Sequence, residues 1–94
     1  LVSLSPDFGN LHLTGYLDLS INKLTNLPSS IGLLNVSSMI LSYNDLESLP
    51  LGFGDNISLT TLTIVDNRAP LTLSPDFGNL ANLTTLIITN SKLL

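Results

Sequence analysis

The residues that could carry chemistry are few. His12 is the sole histidine, and no serine stands at a spacing that would make it a nucleophile activated by that imidazole. A surface position is the expectation for His12. Asp18, Asp45 and Asp66 fall at different places relative to the surrounding leucines, so they do not stack into an acidic column for a cation or a basic peptide. Gly52-Phe53-Gly54 lacks the lysine and the strand–loop–helix context of a phosphate loop. There are no cysteines, which removes thiolate metal sites, disulfides and thiol nucleophiles. The expectation is a protein without catalytic residues, cofactor or metal.

Binding chemistry is better represented. Leucines and their aliphatic substitutes alternate with polar residues at Leu17 and Leu19, Met39 and Leu41, Leu62 and Ile64, and Leu86 and Ile88. Alternation of this kind describes strands with one buried face. Strands are expected near 15–20, 37–42, 60–65 and 84–89. The residues between the leucines must then face outward in columns: Tyr16, Ser38, Thr61 and Thr85, followed by Asp18, Ile40, Thr63 and Ile87. Ser20, Ser42, Val65 and Thr89 form the third column, and Ile21, Tyr43, Asp66 and Asn90 the fourth. Short hydroxyls beside exposed Ile, Val and Tyr suit a weakly polar contact surface. The expected partner-binding set is Tyr16, Asp18, Ser20, Ile40, Ser42, Tyr43, Thr63, Val65, Asp66, Ile87 and Thr89, with the two tyrosines as anchors. The same composition is also what solvated strand residues look like.

The elements that position these columns recur. Asn22, Asn44, Asn67 and Ser91 follow one another at steps of 22, 23 and 24 residues, each after a pair of inward aliphatics. The stretch Tyr16 to Pro28, YLDLSINKLTNLP, shows the pattern most fully. An identical octapeptide, Leu-Ser-Pro-Asp-Phe-Gly-Asn-Leu, occupies 4–11 and 73–80. Its Ser-Pro-Asp opening is a helix-start signal and Gly9 stops it, so a short helical or 3-10 turn is expected, with Phe8 and Leu11 inward. After Asn67 the pattern falters: Ala69 replaces a leucine and one residue is inserted around Pro70, where a local bulge is expected.

The period and the pattern L-x-x-L-x-L-x-x-N-x-L resemble the leucine-rich repeat family across essentially the whole chain. The resemblance implies an α/β solenoid. It would be a horseshoe segment of about four repeats over 1–94, with one parallel sheet on the concave side and 3-10 turns or loops on the convex side. It also implies that Asn22, Asn44 and Asn67 face inward as a structural ladder bonded to the backbone of neighbouring turns. Leu24 to Gly32 and Leu46 to Gly54 follow L-x-x-L-P-x-x-(I/F)-G, which is similar to the LPxxIG-type repeats of Ras-suppressor-like proteins and many bacterial, algal and plant proteins. Gly78 to Leu83 is similar to the plant receptor-kinase class, but Thr25-Asn26-Leu27-Pro28 lacks that class's glycine.

Neither end carries a polar capping segment, so an internal piece of a longer array is expected, poorly soluble alone. A net charge of −4 with three Lys and Arg argues against nucleic acid. No apolar run approaches the ~18 residues of a membrane span, so direct insertion is not expected, and no targeting signal is visible. Asn35, Asn56 and Asn82 each open an Asn-x-Ser/Thr tripeptide. The repeat itself favours Asn at that place, yet three candidate glycosylation sites favour, slightly, an extracellular or secretory setting over a cytoplasmic one. The leading functional expectation is non-enzymatic recognition of a protein or peptide. The alternatives are an architectural subunit or spacer in a larger assembly, and a substrate-recruiting arm of a receptor kinase or other enzyme.

Overall fold

The computed structural model describes residues 2–11 and 13–93; Leu1, Leu94 and the expected surface residue His12 lie outside the described residues. Four strands form one parallel sheet: β1 (Thr14–Asp18), β2 (Asn35–Ile40), β3 (Thr61–Val65) and β4 (Thr85–Thr89), side by side in chain order. Each is preceded by a 3-10 turn, at Phe8–Asn10, Ser29–Leu33, Phe53–Asp55 and Phe77–Asn79. The unit of turn, strand and return is thus repeated four times, compatible with a segment of a solenoid. Among the described residues no helix is long and apolar enough to cross a membrane.

The turns start as their sequence requires. In the first, the Ser5 hydroxyl accepts the Asp7 N–H (3.2 Å) and the Ser5 carbonyl accepts the Phe8 N–H (3.0 Å), closing the turn around Pro6. Phe53 and Phe77, at the same place in consecutive turns, stack with ring centroids 6.3 Å apart and planes 5° from parallel. Between strands the register places Tyr16, Ser38, Thr61 and Thr85 in one row and Asp18, Ile40, Thr63 and Ile87 in another. One irregularity interrupts β1 and β2: Ser37 is left out of the pairing, and its hydroxyl donates to the Gly15 carbonyl (3.0 Å).

Leu19, Leu24, Ile31, Met39, Leu41, Leu46, Phe53, Leu62 and Ile64 form the centre of the core, all but Leu19 with no exposed surface. At about 1.5–3 kcal/mol for each fully buried aliphatic side chain, this stack of side chains is the main stabilising term. Leu86 and Leu11, expected inward, are 45% and 51% exposed. Their counterparts Leu62 and Leu34 are buried because another turn lies over them, and β4 and the first turn have a neighbour on one side only.

The irregularity around Pro70 has a clear form. One more residue separates Asn67 from Thr72 than separates Asn44 from Ser48, yet Ser48 and Thr72 pair. The extra residue lets Leu71, fully buried, take the core space that Ala69 is too small to fill. The Asn67 side chain holds the detour by donating to the Ala69 carbonyl (2.7 Å).

Between turns, Asn44 is the most heavily used polar side chain. It is fully buried; its Nδ2 donates to the carbonyls of Leu41 (3.0 Å), Leu19 (3.1 Å) and Ser42 (3.2 Å), and its Oδ1 accepts the Leu24 N–H (3.1 Å). Asn67 repeats the link one turn later, accepting the Leu46 N–H (2.8 Å) and donating to the Leu46 carbonyl (2.9 Å). Asn22 donates to Leu19 (3.0 Å) and Ser20 (3.3 Å) carbonyls. Ser91 supplies a shorter substitute, its hydroxyl accepting the Asn67 N–H (3.2 Å).

Candidate functional site

Strand alternation turns Tyr16, Asp18, Ile40, Thr63, Ile87 and Thr89 to the face of the sheet away from the core. Tyr16 is 70% exposed, while Ile40 and Thr63, in the middle of the sheet, are half-buried by their neighbours. The Asp18 carboxyl is held below the ordinary carboxylate range, first by a hydrogen bond from the Ser20 side chain and second by the Ser20 backbone N–H (2.9 Å). Asp18 therefore presents a fixed negative charge on this face at any neutral or mildly acidic pH.

The third column departs from expectation. Ser42 is not a surface residue: it is buried, and its hydroxyl accepts the Val65 N–H (3.0 Å). The physical reason is that β2 stops at Ile40. Beyond that point the chain turns, alternation no longer applies, and the small hydroxyl is drawn in to satisfy a backbone donor of the next turn. Ser20 and Val65 are half-buried at the same bend.

The fourth column is conformationally special. Ile21, Tyr43, Asp66 and Asn90 all adopt the left-handed region, with φ of 58°, 56°, 56° and 50°. Asn and Asp tolerate this conformation; a β-branched residue there is a true outlier, costing roughly 1–2 kcal/mol. Ile21 is nevertheless 79% exposed, so no burial offsets the strain. Replacing Ile21 with Asn should accordingly raise the unfolding free energy by about 1 kcal/mol. Urea denaturation checks this; a loss of stability would mean that Ile21 makes a contact its exposure conceals.

Along this bend runs an open groove of about 820 Å³, lined by Ile21, Asn22, Lys23, Tyr43, Asp66 and Arg68. Lys23, Asp45, Arg68 and Lys92 each follow the ladder position by one residue, so their charges line up from turn to turn. Arg68 grips Asp45 with two bonds, Nε to Oδ1 (2.8 Å) and Nη2 to Oδ2 (3.2 Å). Arg68 is 63% exposed, so this pair fixes the guanidinium beside Tyr43's turn more than it stabilises the fold. The column of charges, three cations and one carboxylate, was visible in the spacing of the ladder, one residue on, although the expected contact set omitted Lys23 and Arg68. A smaller hollow of about 380 Å³ lies at the opposite end of the strands, between Gly9, Leu11, Leu13 and Leu33.

The three glycosylation tripeptides separate. Asn35 opens β2 and is exposed, as is Asn82, whose Nδ2 donates to the Ile57 carbonyl (2.6 Å). Asn56 is corrected by the structure: it is 1% exposed and its Nδ2 donates inward to the Phe53 carbonyl (2.8 Å), so the folded chain presents no nitrogen there for a glycan. It stands where Leu34 and Leu80 enter the core in other turns.

No protein-family model matches this chain, and no curated protein matches it.

Proposed function

We propose that this chain is a segment of a leucine-rich-repeat horseshoe and that it recognises a protein or peptide, without catalysis, through the concave face of its sheet. The observation that carries the reading is the pair Tyr16 and Tyr43, 70% and 50% exposed in adjacent turns, one on β1 and one just past the end of β2, with the Ile21–Arg68 groove beside the second. Large amphipathic rings of this kind supply much of the affinity of protein interfaces for little entropy. Ser38, Thr61 and Thr85 continue Tyr16's row across the sheet and Thr63 stands in the next, adding adaptable hydrogen-bonding hydroxyls to the same face.

The test is selection of a binding peptide from a displayed library, followed by calorimetric affinities for variants. Tyr16→Ala and Tyr43→Ala should each weaken binding by more than about 1 kcal/mol while leaving the thermal midpoint unchanged. Substitutions on the other side of the molecule, such as Leu51→Ala, should leave affinity untouched. Equal affinity for the tyrosine variants and the parent would sink the assignment.

An architectural role is the second reading, favoured by the uncovered aliphatics Leu11 and Leu86 at the two open sides of the stack. It predicts cross-links at 6–10, 50–56 or 75–79, or between ends, rather than on the sheet.

A further inference from the structure

The positive charge of this chain is gathered in one column. There are three Lys and Arg against seven Asp and Glu. All three cations, Lys23, Arg68 and Lys92, stand one residue after the ladder position of their turn. Asp45 occupies that place in the second turn and holds the Arg68 guanidinium by Nε and Nη2. This pairing uses two of the five N–H groups a guanidinium carries, and the rest have no acceptor among the described residues. Lys23 and Lys92 are exposed and form no ion pair among the described residues.

Beside these cations lies an apolar surface left open to solvent. Ile21 and Tyr43 line the groove while 79% and 50% exposed. Both sit in the left-handed region, so the bend itself fixes where their side chains start. Strain of this kind gathers at ligand clamps, and nothing inside the chain offsets it at Ile21. The groove is also polarised. Asp66 shares the row of Ile21 and Tyr43, nearer the strands, whereas Lys23 and Arg68 stand in the row beyond the ladder. Its lining comes from three consecutive turns. The groove therefore runs along the stack, and further turns at either end would lengthen it without covering it.

We propose that this groove takes an extended acidic peptide segment, in which an aliphatic or aromatic side chain is flanked by Asp or Glu. The inference rests on the recognition role argued above and names the chemistry of the partner. The apolar side chain covers Ile21 and Tyr43. The flanking carboxylates take the unused N–H groups of Arg68 and the ammonium of Lys23, and Lys92 continues the row for a longer segment. Asp66 accepts a backbone N–H of the peptide and repels a carboxylate placed on the strand side, which sets the way round that the segment lies. The other charged residues of the chain are all carboxylates, so an acidic partner is drawn only to this column.

Fluorescence anisotropy with three labelled synthetic peptides tests this: one alternating Glu with Leu and Phe, one with Gln for each Glu, and one with Lys for each Glu. The Glu peptide should bind about tenfold more tightly than the Gln peptide, and rising salt should erode the difference. The Lys peptide should bind more weakly than either. Arg68→Gln should weaken the Glu peptide about tenfold and Lys23→Gln about threefold, both with an unchanged melting temperature. Ile21→Asn should lower affinity about tenfold while raising the melting temperature, a combination that a purely structural role does not produce. Equal or stronger binding of the Gln or Lys peptide, binding of none of the three, or indifference to Arg68→Gln overturns the proposal. The library-selected peptide separates this failure from that of the recognition role. Affinity that falls with Tyr16→Ala and Tyr43→Ala but ignores Arg68→Gln removes only the acidic partner. Affinity that ignores both tyrosines removes the recognition surface as well.

Discussion

Asn44→Ala should lower the unfolding free energy by about 3 kcal/mol, a large part of the total expected for a chain of this size. The side chain is fully buried and holds four backbone groups: the carbonyls of Leu41, Leu19 and Ser42 and the N–H of Leu24. Alanine leaves the Leu41 carbonyl and the Leu24 N–H without this partner where water cannot replace it, while the Leu19 carbonyl keeps the Asn22 Nδ2 and the Ser42 carbonyl keeps the Ile21 N–H. Orphaned buried groups cost more than a hydrogen bond gains. Aspartate is a sharper probe. It keeps the acceptor for Leu24 but turns the donor into a buried charge facing three carbonyls, so Asn44→Asp should be at least as damaging at neutral pH. Asn26→Ala, at an exposed position, should change little. Urea titration of the three variants checks the order. An Asn44→Ala loss under about 1 kcal/mol would show that the ladder is not a principal link between turns.

Gly54→Ala should destabilise by more than about 3 kcal/mol, beyond what overpacking of a side-chain core usually costs. The methyl group would run into the Asp76 carbonyl, which is backbone and cannot rotate aside. Relief requires the third and fourth turns to separate, which breaks the Asp76 bonds to Gly52 and Gly54 and unstacks Phe53 from Phe77. Circular dichroism melts of Gly54→Ala and Gly78→Ala make the comparison, since the two substitutions are chemically the same and nothing lies within 4 Å of where a Gly78 Cβ would be. A Gly54→Ala variant that melts with the parent would mean that the turns can slide apart without loss.

The parallel strands and their outward rows were legible in the alternation around Leu17, Met39, Leu62 and Leu86, because a half-buried strand leaves a period of two wherever it stays straight. Legibility ended where the backbone bends. Ser42 continues the alternation in sequence but lies past the end of β2, and its place is set by the Val65 N–H it satisfies. The left-handed column was hidden for a related reason. Ile21 and Tyr43 are residue types that avoid that conformation, so only the position of the bend between neighbouring turns imposes it. Asn56 followed the glycosylation tripeptide in sequence and the inward leucine position in space, and burial decided between them. Of the groove, the tyrosine was found from its strand, whereas Lys23 and Arg68 needed the ladder to be carried one residue further.

The molecule has no single centre to which distant parts of the chain all return, because every turn packs only on its immediate neighbours. Its unfolding is then that of a short one-dimensional chain of coupled units, in which an outer unit has one coupling to lose and an inner unit two. Thermal fluctuations should peel the stack from its outer strands, and amide hydrogen exchange should report a gradient rather than a single global value. Leu41 and Ile64, buried in the two inner units, would exchange slowest, and the amides of β1 and β4 fastest. Tyr16, on an outer strand, therefore sits on a surface that opens before the part carrying Tyr43 does. A ligand spanning both rings would bind only the state in which the first two turns are stacked, and in doing so would couple the outer turn to its inner neighbour.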